Sequence, residues 1–193
     1  MRVQRLEAFT DGVLAIAITI TVLEMKVPAG ASPQALLATV PILLAYALSF
    51  VNIGIFWTNH HHMLQAAEHV HGNALWANLA LLFWLSLVPF VIRWIDDQGV
   101  VPLPTAAYGF VLLMAAISYT LTQRALIVGD GAHSRLAAAV GHDRKGKISL
   151  LLYVAGIGAA FFLPLLAVLL YVVVSAIWLI PDRRIERTLV DAD

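Results

Sequence analysis

Residues 148–180 limit the fold more than any other stretch. They are thirty-three consecutive residues without a charged side chain, with Pro164 in their middle. A lipid-spanning helix needs about 20 apolar residues. The block is therefore too long for one span and short for two full ones. Proline removes a backbone donor and crowds the carbonyl four residues back, so the block reads as two helices, 145–162 and 163–180, with Pro181 ending the second. The rest of the chain is of the same kind: 61% hydrophobic and 12% charged, with a mean hydropathy of +0.84. That charged share is about half the value usual in soluble domains, roughly a quarter. A water-soluble chain of 193 residues has no interior large enough to hide so much apolar surface. The fold class is an all-α polytopic membrane protein. A formal net charge of zero argues against a nucleic-acid partner, and the lack of cysteine excludes disulfides and thiolate chemistry.

Taken in order, the apolar runs give six transmembrane helices in a single domain, 1–193. The first covers 6–25 and is closed by Pro28 and Gly30. The second, 34–59, follows the cap pair Ser32 and Pro33 and carries Pro41 in its interior as a kink. A polar link, 65–72, leads to the third, 73–92, with Trp76, Trp84 and Trp94 as an interfacial belt. A loop over 93–104 precedes the fourth, 105–126, whose Ala106, Gly109, Ala115 and Ser118 suit close helix packing. The polar stretch 129–147 holds a short helix near 134–140, and the charged tail 182–193 follows the last span. With these spans, ten of the twelve Lys and Arg fall on the side of the N-terminus, and only Lys26 and Arg93 fall opposite. Positive charge marks the cytoplasmic side, so both termini are expected there. No cleavable leader is expected, because Arg2, Arg5, Glu7 and Asp11 precede the first apolar run and no small-residue cleavage site follows it cleanly.

The first span is unusual. Asp11 and Glu24 bracket only the residues from Gly12 to Leu23, a rise of ~18 Å against about 30 Å of hydrocarbon. Such a helix lies in protein rather than lipid, or its acids face water or polar partners. Both options put it in the middle of an assembly, and intramembrane acids are functional-site candidates by default. On a helical wheel Ile16, Ile20 and Leu23 form one stripe, with Thr19 about 60° to its side. At the start of the span stands Arg5-x-x-x-Phe9-Thr10-Asp11. Asp11 needs hydrogen-bond donors from neighbouring helices, and Trp57, His60 and His61 are the candidates on the second span, with Asn52 a further polar group. By residue type this reads as a helix-locking polar motif rather than an ion site.

The run R-L-E-A-F-T-D-G-V-L-A-I-A-I-T-I-T-V-L resembles the first helix of the transmembrane-protein-175 family of potassium channels, whose hallmark is arginine, three residues, then Phe-Ser-Asp. L-S-F-V-N-I-G-I-F-W-T-N-H-H at 48–61, L-V-P-F at 87–90 and W-L-I-P at 178–181 are similar to later pieces of that family, so the resemblance spans the chain in order. It implies a prokaryotic single-repeat member: a homotetrameric, potassium-selective cation channel of the cell membrane. The pore would be lined by the first helix of each copy. Carried over by position, the pore constriction falls on Ile16, Ile20 and Leu23, and a pore hydroxyl on Thr19. Thr10 stands where the family usually has serine, which keeps the hydroxyl. No cofactor is implied; the permeant ion is K+ and the surrounding partner is membrane lipid. The chain has no Thr-Val-Gly-Tyr-Gly filter, so selectivity would have to come from side chains.

Two other readings compete. His60, His61, His62, His69 and His71 fall within one short stretch, as in a metal- or haem-binding membrane protein. Adjacent histidines cannot all converge on one ion, and Glu68 is the sole acid beside them. A proton-coupled transporter would rest on Asp11 and Glu24, although Glu24 lies near the far mouth rather than the midplane. An enzyme is not expected, because no nucleophile stands at usable spacing from a base.

Overall fold

Nine helices account for most of the described chain, and prolines and glycines set nearly every boundary. The computed structural model describes residues 2–23, 25–131, 134–141 and 143–179. Glu24, His133, His142, Pro181 and the tail 182–193 lie outside the described residues. The first helix, α1 (Val3–Leu23), has no internal proline and ends before Pro28. The Ser32 hydroxyl accepts from the Ala35 amide at 3.2 Å and starts the short α2 (Pro33–Leu37).

Pro41 does not kink a long helix, as the sequence reading had it. It stands in the first turn of a new helix, α3 (Val40–Gln65). The ring has no N–H for the Leu37 carbonyl and crowds it, so the helix restarts where proline is tolerated. The new helix also runs past 59, so His60, His61 and His62 are helical. Pro89 acts in the same way on the next segment. It divides α4 (Gly72–Ser86) from α5 (Val88–Gln98), and the two form one apolar rod, Gly72–Gln98. The loop expected from residue 93 begins later, because Arg93 reaches Asp97 one turn on, Nε to Oδ2 at 3.4 Å. Lys26 pairs with the same carboxylate. Gly99, at φ 81°, then ends the helix.

The longest helix is α6 (Pro102–Asp130), opened by Pro102 and closed by Gly131 at φ 95°. Ser134 caps α7 (Arg135–Val140), and the Asp143 carboxylate accepts from the Gly146 amide at 3.0 Å to cap α8 (Arg144–Ala160). The last helix is α9 (Pro164–Leu179). Among the described residues, four segments are long and apolar enough to cross a membrane: Val3–Leu23, Val40–Gln65, Gly72–Gln98 and Pro102–Asp130. Pro164–Leu179 is apolar but shorter.

Helix α6 is the hub, packed against α4, α5, α8 and α9, while α1 lies against α3, α4 and α5. Small residues set the closest approach. Tyr171 of α9 is fully buried between Gly109 of α6 and Gly156 of α8, and a Cβ on Gly109 would stand 2.0 Å from its hydroxyl. That hydroxyl donates to the Thr105 carbonyl at 3.4 Å. Several buried polar groups are paired across helices, which a low-dielectric interior favours. Ser175 of α9 donates to the Asn52 side-chain carbonyl at 2.9 Å, and the Asn52 amide reaches the Tyr108 hydroxyl at 3.3 Å. Asn52 therefore joins α3 to α6 and α9, and not to α1.

Candidate functional site

Two stripes divide α1. Leu6, Thr10, Leu14, Ala17 and Thr21 are buried against the neighbouring helices. Ile16, Ile20 and Leu23 are 59%, 41% and 80% exposed. Apolar side chains exposed in a row along one face of a helix need an explanation beyond packing within the chain. The two threonines also differ. Thr21 is buried and donates to the Ala17 carbonyl at 2.7 Å. Thr19 is exposed, on the side opposite the buried stripe, and its hydroxyl bonds back to the Ala15 and Ile16 carbonyls, both at 3.0 Å. With its hydrogen held by the helix, the Thr19 oxygen offers lone pairs outward.

Open clefts flank this helix. One of about 650 Å³ lies between α1, α3 and α9, walled by Asp11, Leu14, Ile18, Phe50, Ile55 and Trp178. Another of about 430 Å³ lies between α1 and the α4–α5 rod, walled by Ile16, Ile20, Pro89, Phe90 and Arg93. Within one chain α1 is therefore held along one side only.

The polar start of α1 is tied to its neighbours by three connections. The Trp57 indole Nε1 donates to Asp11 Oδ1 at 2.8 Å. His61 Nδ1 lies 2.6 Å from Glu7 Oε1, and its Nε2 lies 2.8 Å from the Gln65 amide nitrogen. An amide nitrogen only donates, so as assigned His61 accepts at Nε2 and donates at Nδ1. The Trp57 ring stacks on His61 at 6.1 Å between centroids. The third connection is fully buried. Asn78 of α4 donates from Nδ2 to Thr10 Oγ1 at 3.0 Å and accepts at Oδ1 from His60 Nε2 at 2.8 Å. One amide thus joins α1, α3 and α4.

These contacts correct part of the sequence reading. Of the three donors expected for Asp11, only Trp57 meets it. His61 turns to Glu7 and His60 to Asn78, because His60 lies one residue, ~100°, around α3 from His61 and faces α4. Arg5 and Phe9 are exposed on α1 and join none of the three connections. Asn78, Glu7 and Gln65 were not singled out from sequence. Asn78 carried a signal, being an amide within an otherwise apolar run. Glu7 stands one turn before Asp11 on the same face.

The histidine cluster is dispersed. His69 lies 3.6 Å from an Asp130 carboxylate oxygen, and the His71 ring packs on Gly129, where a Cβ would come within 2.4 Å. His62 Nδ1 is buried without a partner among the described residues. No group of three His, Asp or Glu side chains there is arranged to hold a metal.

Comparison with known proteins matches residues 5–89 to the family described as endosomal/lysosomal potassium channel TMEM175. That range includes Thr10, Asp11, Trp57, His60, His61 and Asn78. A potassium channel of Chryseobacterium sp. strain P1-3 is 50% identical over 185 residues, covering 96% of each chain. A potassium channel of Streptomyces collinus is 34% identical over 123 residues, covering 60% of each. The crystal structure of a lysosomal potassium-selective channel TMEM175 homologue from Chamaesiphon minutus superimposes with a TM-score of 0.75 at 25% identity, covering 93% of this chain and 97% of that one.

Proposed function

The chain belongs to the TMEM175 potassium-channel family, and on that basis we propose that four copies form a potassium-selective channel around a central pore lined by α1. Each copy crosses the cell membrane with six segments, α1, α3, the α4–α5 rod, α6, α8 and α9, and keeps both termini cytoplasmic. Rings of Ile16, Ile20 and Leu23 form the constriction. Isoleucine and leucine rings offer no ligands to replace water, so they close by dewetting and pass best the cation that keeps its water least tightly. Potassium is that cation relative to sodium. The outward lone pairs of Thr19 supply partial ligation beside the narrowest level. The Asp11, Glu7 and Asn78 connections fix the cytoplasmic half of α1, so that four copies hold a common pore radius.

One observation carries the reading: α1 leaves Ile16, Ile20 and Leu23 exposed although three helices of its own chain pack on its other side. An apolar stripe left bare opposite three packed helices is free to face the same stripe of other copies across a central axis. The test is flux. Purified protein in vesicles should pass K+ down its gradient well ahead of Na+, without coupling to a proton gradient. Equal K+ and Na+ flux, or flux that requires a proton gradient, overturns it.

A further inference from the structure

The α8 arm of the α8–α9 hairpin is short for its surroundings. It has 17 residues, or ~25 Å at 1.5 Å per residue, below the ~30 Å of hydrocarbon. The first turn of α8 is spent on Arg144, Lys145 and Lys147, so its apolar part begins only at Ile148. One exposed stripe runs along the helix from Arg144 and Lys147 through Ile148, Leu151 and Val154. Such a stripe suits a lipid surface, with its basic end at the headgroups of the side proposed as cytoplasmic.

At the other end is a turn unlike the other outward connections. The first carries Lys26 and Ser32, and the second carries Asp96, Asp97 and Gln98. From 154 through 170, across the α8–α9 turn, there is no polar side chain. Phe161, Phe162 and Leu163 form the tip, and Phe162 is 85% exposed. An aqueous loop of that composition would present a bare apolar surface.

The backbone sets the depth. Phe161 donates to Gly158 at 3.4 Å, and Phe162 and Leu163 donate to Ala159 at 3.0 and 2.7 Å; Pro164 has no N–H to satisfy. The carbonyls of Ala160, Phe161 and Phe162 accept no backbone N–H from the described residues. Unpaired carbonyls are excluded from the bilayer centre but find water and headgroup donors at its edge.

We propose that the α8–α9 turn is immersed in the outer leaflet, with Phe161, Phe162 and Leu163 among the acyl chains and the three carbonyls at headgroup level. The hairpin rises from the cytoplasmic side and presents no loop to extracellular water. Its partner is the phospholipid of the outer leaflet. This rests on the membrane orientation proposed above.

The chain has no cysteine, so Phe162→Cys and Gln98→Cys each introduce a single label site into the full-length protein. Phe162 is exposed, so its replacement leaves the core intact. In intact cells a membrane-impermeant maleimide should label Gln98→Cys and leave Phe162→Cys unlabelled over the same time. After reconstitution, an environment-sensitive dye on Phe162→Cys should be quenched by lipids brominated on their acyl chains, and the same dye on Gln98→Cys should not. Labelling of Phe162→Cys at the rate of Gln98→Cys overturns the proposal. So does absent quenching, which would mean that a second copy covers the turn. If Gln98→Cys reacts only from the cytoplasmic side, the orientation fails instead, and the quenching still decides whether the turn is immersed.

Discussion

Replacing Asn78 by leucine removes the amide that joins α1, α3 and α4. Leucine keeps the heavy-atom count and the branching at Cγ, so the change is chiefly the loss of two hydrogen bonds, of 3.0 Å to Thr10 and 2.8 Å from His60. All three residues are buried, Thr10 and Asn78 at 0% and His60 at 1% exposure. A stranded buried polar group costs about 1–3 kcal/mol in soluble proteins. Within membranes the unfolded reference also finds partners, and an interhelical hydrogen bond is worth about 0.6 kcal/mol on average, up to about 1.7. The membrane figure decides, so two bonds give about 1–3 kcal/mol for Asn78→Leu. At this chain length each kcal/mol moves the melting temperature by about 2–4 °C, so a fall on the order of 5 °C is expected for protein purified in detergent. Thr10→Val should cost less by itself. The double variant should melt close to Asn78→Leu, because both changes break the same bond, whereas independent sites add. A melt for Asn78→Leu within about 1 °C of the parent, outside the shift expected from that conversion, would refute the bridge. Strict additivity of the two changes would refute it equally.

Two further perturbations separate packing from permeation. Asp11→Ala removes the acceptor of the 2.8 Å bond from Trp57; it should lower the yield of the proposed tetramer on size-exclusion chromatography while the K+/Na+ permeability ratio of the remaining channels stays unchanged. A changed ratio at normal yield would make Asp11 a pore group. Gly109→Ala places a Cβ 2.0 Å from the Tyr171 hydroxyl and should destabilise by about 1–3 kcal/mol, the range for overpacking. Gly158→Ala, whose Cβ meets nothing within 4 Å, should leave the melt unchanged or raise it slightly.

Helix existence and membrane character were legible from apolar runs and from the scarcity of charge. So was the division at Pro164, because a proline inside a long apolar block has few other outcomes. The sequence was less informative where two outcomes share one cue. Pro41 could kink a helix or begin one, and packing chose the second. Arg93 to Gln98 looks like loop by composition, yet the Arg93–Asp97 pair sits at helical spacing and extends α5. In the site, the Trp57–Asp11 contact followed from two groups needing partners at the same depth. The Asn78 bridge did not, since the rotation that turns His60 toward α4 and His61 toward α1 depends on how three helices meet. The exposure of Ile16, Ile20 and Leu23 is a property of the folded chain that a helical wheel can pose and only packing can answer.

The central claim is that these apolar side chains are the constriction, and the most direct measurement is single-channel recording of Ile16→Asn beside the parent. Asparagine at that ring supplies oxygen ligands and holds water where isoleucine excludes it. The account predicts a larger Na+ current relative to K+ and a longer open time. Conductance, open time and K+/Na+ ratio all equal to those of the parent, in protein that assembles normally, would contradict it.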